Sequence, residues 1–154
     1  KKIKKDSRFV YLTDLHSKEF GKGNYKLINK IKEIKPDFIL IGGDFNVALT
    51  DVDVWKPANY VGIAIAAPQA RNEMQQWLNA GWTDVWRYLH PTDIDYTWYG
   101  YRGGDTVGKK MGLRLDYFLA NATAMKLIKN CEIDIAPRLA TKPTDHCGLM
   151  LEIK

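Results

Sequence analysis

Cysteine is scarce in this chain of 154 residues: Cys131 and Cys147 are the whole supply. Two thiols without CxxC spacing make no disulfide framework, so reduced cysteines and a cytoplasmic setting are expected, and cysteine catalysis is not. No apolar run approaches the roughly 18 residues that cross a bilayer. The longest, Val61 to Ala67, falls far short, and no membrane partner is expected. Glycine and proline stay at ordinary levels, 12 and 6 residues, and no repeat or low-complexity tract occurs, which excludes collagenous and disordered classes. The lysines at 1, 2, 4 and 5 lead into no apolar core of a secretion signal, so the chain is expected to be mature sequence.

What is present suits a globular fold. Hydrophobic residues make up 45% and charged residues 27% of a chain long enough to bury one core, and a single domain over 1–154 is expected. The net charge of +5 is uneven. Residues 1–36 carry 11 Lys or Arg against 4 Asp or Glu, whereas residues 37–154 carry 12 against 14. A basic head on a slightly acidic body permits a polyanion such as DNA as partner, and equally permits a solvated lysine-rich helix.

Arg8 to Thr13 is rich in β-branched and aromatic residues and reads as a strand. From Asn24 to Ile34, Leu27, Ile28, Ile31 and Ile34 recur at helical spacing until Pro36 ends the pattern, which predicts an amphipathic helix packed on a sheet. Asp37 to Gly42 is a continuous apolar run, as in a strand buried on both faces. A right-handed crossover makes these strands parallel and puts Asp14 and Asp44 just past their carboxyl ends, within roughly 5 to 10 Å of each other if the strands are neighbours or next neighbours. Open α/β sheets take their ligands at that edge.

Further on, 45–67 reads as irregular. A helix is predicted over Gln69 to Ala80, with Ala70, Met74, Trp77 and Leu78 inward and Gly81 as its stop. A short helix is expected in Thr83 to Leu89, and a helical turn or two in Ala122 to Lys129. Strands are expected at Tyr96 to Tyr101, Leu113 to Ala120, Cys131 to Ile135 and Cys147 to Glu152, mostly antiparallel and extending the same sheet. The fold class is therefore α/β: a mixed sheet with a parallel βαβ N-terminal unit, mostly antiparallel C-terminal strands, and helices packed on it.

Two clusters carry chemistry. In Gly42-Gly43-Asp44-Phe45-Asn46, an acid and an amide two residues apart at a strand end would point to one side, the carboxylate taking a proton and the amide fixing its orientation; an Asx turn accounts for one of them without function. In Thr144-Asp145-His146-Cys147, an acid precedes a histidine at the entry to an apolar strand, a placement suited to phosphate or metal.

Four ordered motifs make residues 43–154 similar to the second half of an exonuclease III-type abasic-site endonuclease of the endonuclease/exonuclease/phosphatase superfamily. They are Gly43-Asp44-Phe45-Asn46-Val47-Ala48, Tyr96-Thr97-Trp98 with Tyr101-Arg102, Leu113-Arg114-Leu115-Asp116-Tyr117-Phe118-Leu119, and Asp145-His146. The resemblance implies half of a four-layer α/β sandwich. It makes Asp44 the base or water-orienter, has Asn46 and Asp116 hold the phosphate and the histidine, and has Asp145 orient His146. Arg102, Lys109, Lys110 and Arg114 would contact DNA phosphates, with Trp98, Tyr99 and Tyr101 beside them or, as the alternative and the favoured one for Trp98, in the core; without a nuclease role, Asp116 would be a strand-end salt bridge to Arg114. The superfamily's metal-binding Glu and phosphate-contacting Tyr have no recognisable counterpart here.

Residues 8–44 resemble instead the opening of a calcineurin-like metallophosphoesterase: Asp14-Leu15-His16 after the first strand and Gly43-Asp44 after the second. That resemblance implies that Asp14, His16 and Asp44 bind metal, though the family's later histidine motifs are missing. The two resemblances meet at Gly43-Asp44, and together they imply a chimera of segments 1–42 and 43–154, engineered or, as the alternative, a natural hybrid. Its metal ligands would be Asp14, His16, Asp44 and Asp145, holding Mg²⁺ or Mn²⁺, with Zn²⁺ or Fe as alternatives. The expected activity is phosphodiester hydrolysis on DNA; the alternatives are a catalytically silent scaffold and a basic nucleic-acid binder. A monomer or a sheet-edge dimer is expected.

Overall fold

The structure, a computed structural model, describes residues 7–13 and 19–154. Asp14, His16 and the lysines at 1, 2, 4 and 5 lie outside the described residues.

The predicted βαβ unit is present: β1 (Phe9–Leu12), α1 (Tyr25–Ile34) and β2 (Phe38–Asp44), with β1 and β2 as parallel neighbours in the register Phe9 to Phe38 through Leu12 to Ile41. Pro36 lies just past the end of α1, and Lys35 closes the helix in a left-handed conformation, its N–H bonded to the Ile31 carbonyl. Leu27, Ile31 and Ile34 are only half-buried, so α1 is a lightly docked amphipathic helix.

After β2, residues 45–67 hold three short 3₁₀ turns and no strand. There follow α2 (Pro68–Asn79), β3 (Thr83–Asp84), α3 (Val85–Leu89), β4 (Asp116–Ala120), α4 (Ala122–Met125), β5 (Ile128–Asp134), α5 (Ala136–Leu139) and β6 (Gly148–Ile153). The main sheet runs β1-β2-β4-β3, with β4 antiparallel to both neighbours. Helix α2 starts on a proline, which suits the first helical turn, and Gly81 follows it at a φ of 95° that an L side chain resists.

Alternation along the central strands divides the core. On one face Ile41, Tyr117 and Leu119 pack with Met74 and the half-buried Leu78 of α2. On the other, Phe38, Leu40 and Ala120 pack with Val85, Trp86, Ala124, Ile128 and Cys131, and half-buried Leu149 and Leu151 complete the layer. The mixed α/β class holds. Four expectations of detail do not. Trp77 is 40% exposed, stacked obliquely on Trp82 rather than inward. Tyr96 to Tyr101 is no strand; only Trp98 bridges, to Leu113 and His146. Residues 113–115 lie outside β4, and among the described residues β5 and β6 pair only with each other as a second sheet instead of extending the first.

Candidate active site

The sheet and its loops bring four of the predicted residues together. Asp44 ends β2 and pairs in register with Asp116, the first residue of β4. His146 stands just before β6, and a bridge to Trp98 fixes its backbone. Its Nδ1 lies 2.9 Å from Asp116 Oδ2 and its Nε2 3.9 Å from Asp44 Oδ2. Because a carboxylate only accepts, Nδ1 carries the proton and donates to Asp116, which sets the tautomer and turns Nε2 toward Asp44.

Asn46 sits beside Asp44 by a different route from the one period two suggests. Its φ is 53°, so the chain leaves the strand into a left-handed turn. The Asn46 backbone N–H donates to Asp44 Oδ1 at 2.8 Å and its side-chain Nδ2 to Oδ2 at 3.0 Å. An Asx-type turn therefore places both residues at once, and Asn tolerates the left-handed conformation because its short side chain bonds locally.

Two shifts follow from this geometry. Burial pushes the Asp44 carboxyl above its ordinary value, against the Asn46 backbone bond that favours the charged form; nearby Asp116 adds to the rise, while His146 and the Asn46 side-chain bond offset it in part. The bond to Asp116 raises His146 above the usual imidazole range, against burial, and the charges of Asp116, Asp44 and Asp145 reinforce it. The site thus couples a carboxyl that takes up a proton more readily to an imidazole that keeps one.

Asp145 adjoins the cluster without orienting the histidine. Its Oδ2 accepts from the Trp98 indole Nε1 at 3.0 Å, and Asp116 supplies the partner expected of Asp145. Adjacent residues in extended chain point to opposite sides, so an acid directly before a histidine is poorly placed to bond it. Trp98 is itself half-buried against the cluster of Ala48, Val54, Leu113 and Leu115.

Of the cationic residues expected to meet phosphate, Arg102, Lys109 and Lys110 are exposed on the loop between Tyr99 and Met111. That loop adjoins the segment leading to His146, since the Tyr101 hydroxyl donates to the Pro143 carbonyl at 3.0 Å. Arg114 is not on the surface. It is 1% exposed, its Nε donates to Asp53 Oδ1 at 2.7 Å, and its Nη2 lies 2.8 Å from Asp84 Oδ2 as a close ion pair rather than an aligned hydrogen bond. It does not pair with Asp116. Asp53, itself fully buried, also accepts from Arg87 Nη2 at 3.0 Å. Sequence reasoning missed this network. The available signal was an arginine between two leucines in an apolar segment, which if buried requires an acidic partner.

Oxygen donors for a divalent cation exist in Asp44 and Asp145, but among the described residues no group of three or more His, Cys, Asp or Glu side chains is arranged to hold one.

The Endonuclease/Exonuclease/phosphatase family model matches residues 11–146. A DNA-(apurinic or apyrimidinic site) endonuclease of Dictyostelium discoideum is 31% identical over 146 residues, covering 93% of this chain and 38% of that protein. An exodeoxyribonuclease of Bacillus subtilis is 29% identical over 128 residues, covering 82% and 48%. Among solved structures, an AP endonuclease from Archaeoglobus fulgidus aligns with a TM-score of 0.77 at 26% identity, covering 94% of this chain and 61% of that one. The chain spans less than half the length of these two curated relatives. The family match runs across Gly43-Asp44, so the comparisons lend no support to a splice there or to a calcineurin-like leading segment.

Proposed function

From the premise that the chain belongs to the Endonuclease/Exonuclease/phosphatase family, we propose that it hydrolyses DNA phosphodiester bonds in the manner of an abasic-site endonuclease or exonuclease. The observation that carries this reading is the linked set of Asn46, Asp44, His146 and Asp116, in which Asp44 is held by an amide and faces an imidazole fixed by a second carboxylate. The names of the relatives, nucleases acting on DNA, support the substrate class.

In this reading Asp44 orients a water and accepts its proton, a task suited to a carboxyl raised by burial. His146 presents its Nε2 to a nonbridging phosphate oxygen. Its raised pKa keeps it charged at higher pH than a free imidazole, so it offsets charge that builds on phosphorus. Asn46 keeps the Asp44 carboxylate from rotating. Arg102, Lys109 and Lys110 contact the flanking backbone phosphates and set position rather than sequence. A divalent cation such as Mg²⁺, the cofactor general to nucleases of this family, would neutralise phosphate charge when bound. Among the described residues, Asp44 and Asp145 are the expected metal ligands present, and they do not by themselves complete a site.

That incompleteness is the one observation favouring a second reading, a folded scaffold without catalysis. A duplex bearing an abasic analogue, incubated with Mg²⁺, Mn²⁺ or EDTA, separates the two. Cleavage that disappears with EDTA and in both Asp44→Ala and His146→Ala supports the nuclease. Cleavage retained by both variants, or none with the unaltered protein, overturns it; a mobility shift without cutting leaves a binder.

A further inference from the structure

We propose that the dipeptide Thr97-Trp98 is the positioning element of the site, with Thr97 fixing Asp116 and Trp98 fixing Asp145, so that the groups on either side of His146 are set by one segment. The inference deepens the nuclease reading and rests on it for its kinetic arm alone.

Thr97 is fully buried, and its hydroxyl oxygen accepts the backbone N–H of Leu115 at 2.9 Å and of Asp116 at 3.0 Å. Its carbonyl accepts the Cys147 N–H at 2.7 Å. One residue therefore ties down the backbone from which the Asp116 carboxylate projects and the backbone directly after His146. The bond between those two side chains depends on both anchors, because His146 Nδ1 and Asp116 Oδ2 meet from segments 30 residues apart in sequence.

Trp98 acts by a different chemistry. Its indole N–H donates to Asp145 Oδ2 at 3.0 Å, and the next residue, Tyr99, donates its backbone N–H to the Asp145 carbonyl at 2.8 Å. An indole is a donor only, so this bond holds the Asp145 carboxylate by Oδ2 and restrains its rotation. The indole has little freedom. Its backbone exchanges hydrogen bonds with Leu113 at 2.9 Å in each direction. A Cβ on Gly112 would come within 2.7 Å of the Trp98 carbonyl oxygen, and one on Gly100 within 3.0 Å of the indole ring, so both neighbours are small where the segment passes. Segments of irregular backbone keep fixed side-chain positions only when so pinned, and a misplacement of about 1 Å at a site of this kind costs on the order of a hundredfold in rate.

The test compares Thr97→Val, which keeps shape and removes the hydroxyl, with Thr97→Ser, which restores it, and with Trp98→Phe. Proton NMR reads two signals that need no activity: the downfield Nδ1–H of His146 in its bond to Asp116, and the indole N–H of Trp98, identified by its absence in Trp98→Phe and expected to be displaced in Asp145→Asn. Thr97→Val is expected to broaden or lose the His146 signal and to lower kcat on the abasic duplex about tenfold or more with KM within about twofold; Thr97→Ser is expected to keep both. Trp98→Phe is expected to keep the His146 signal and to lower kcat by a similar factor. An intact His146 signal in folded Thr97→Val, an equal loss in Thr97→Ser, or an indole signal indifferent to Asp145→Asn overturns the proposal. If Thr97→Val does not fold, the Asp145→Asn displacement and Trp98→Phe decide it. If the unaltered protein cuts no DNA, the nuclease reading fails and the two NMR signals still decide the positioning claim.

Discussion

At the scale of single residues, the largest energetic stake lies in the buried group formed by Asp53, Arg114, Asp84 and Arg87. Two carboxylates and a guanidinium taken almost wholly out of water are tolerable only while each has its partner, so removing one leaves an uncompensated charge. Arg114→Leu is expected to cost about 3 to 5 kcal/mol in urea denaturation, and a loss under about 1 kcal/mol would show the group to be dispensable. The pH dependence has a definite sign. Desolvation pushes the Asp53 carboxyl up, but the Arg114 charge, with the Arg114, Thr50 and Arg87 hydrogen bonds, outweighs it and holds the group below the usual range. A depressed carboxyl contributes stability above its unfolded value, about 3.9, that is lost as pH falls through the lower folded value. Asp53→Asn should therefore be less stable at neutral pH and show a shallower fall in acid, measured as Tm against pH. Asn46 offers the opposite separation. Because its φ of 53° suits glycine, Asn46→Gly should leave stability within about 0.5 kcal/mol while removing the amide from Asp44 and, with it, cleavage.

At the scale of elements, β4 and α1 differ in what they bury, and mutation should report the difference. Leu119 is fully enclosed between β4 and α2, whereas Ile31 on α1 is half-buried. Leu119→Ala is expected to cost about 2 to 5 kcal/mol and Ile31→Ala distinctly less, because only the first leaves a cavity that neighbours cannot close. Equal losses would mean that α1 is docked as firmly as α2. Elements with a periodic apolar signal were legible: α1, α2, β1 and β2 stand within a residue or two of their expected bounds. The segment from Tyr96 to Tyr101 departs from its strand pattern for a physical reason. Its aromatics satisfy a strand pattern, but their backbone partners are scattered over Leu113, Asp145 and Cys147 instead of forming one ladder. Aromatic content reports a half-buried surface, and only the partner decides whether that surface is a strand.

At the scale of the whole molecule, the sequence disclosed which residues gather at the sheet edge better than how they bond there. Asp44, Asn46 and His146 were legible because a strand end and a short motif place them, and Asp116 through the resemblance carried by Leu113 to Leu119. The Asp116 contact with His146 was implied by the resemblance, but its anchoring by Thr97 was not legible, nor was the burial of Arg114, which depends on Asp53 from a loop 61 residues away. Those long-range pairings decide which cations remain for a polyanion. The net charge of +5 overstates the surface available to DNA, because Arg114 is spent inside the fold, while Arg102, Lys109 and Lys110 stay exposed beside the loop that carries His146. If they neutralise duplex phosphates, each releases counterions on binding, and the slope of log K against log salt loses about 0.9 for each one removed. Lys109→Ala and Lys110→Ala are therefore expected to flatten that slope by about 0.9 apiece and to weaken every duplex alike, whatever its sequence. Fluorescence anisotropy across a salt series measures it, and a slope untouched by both replacements would take this loop out of the DNA interface.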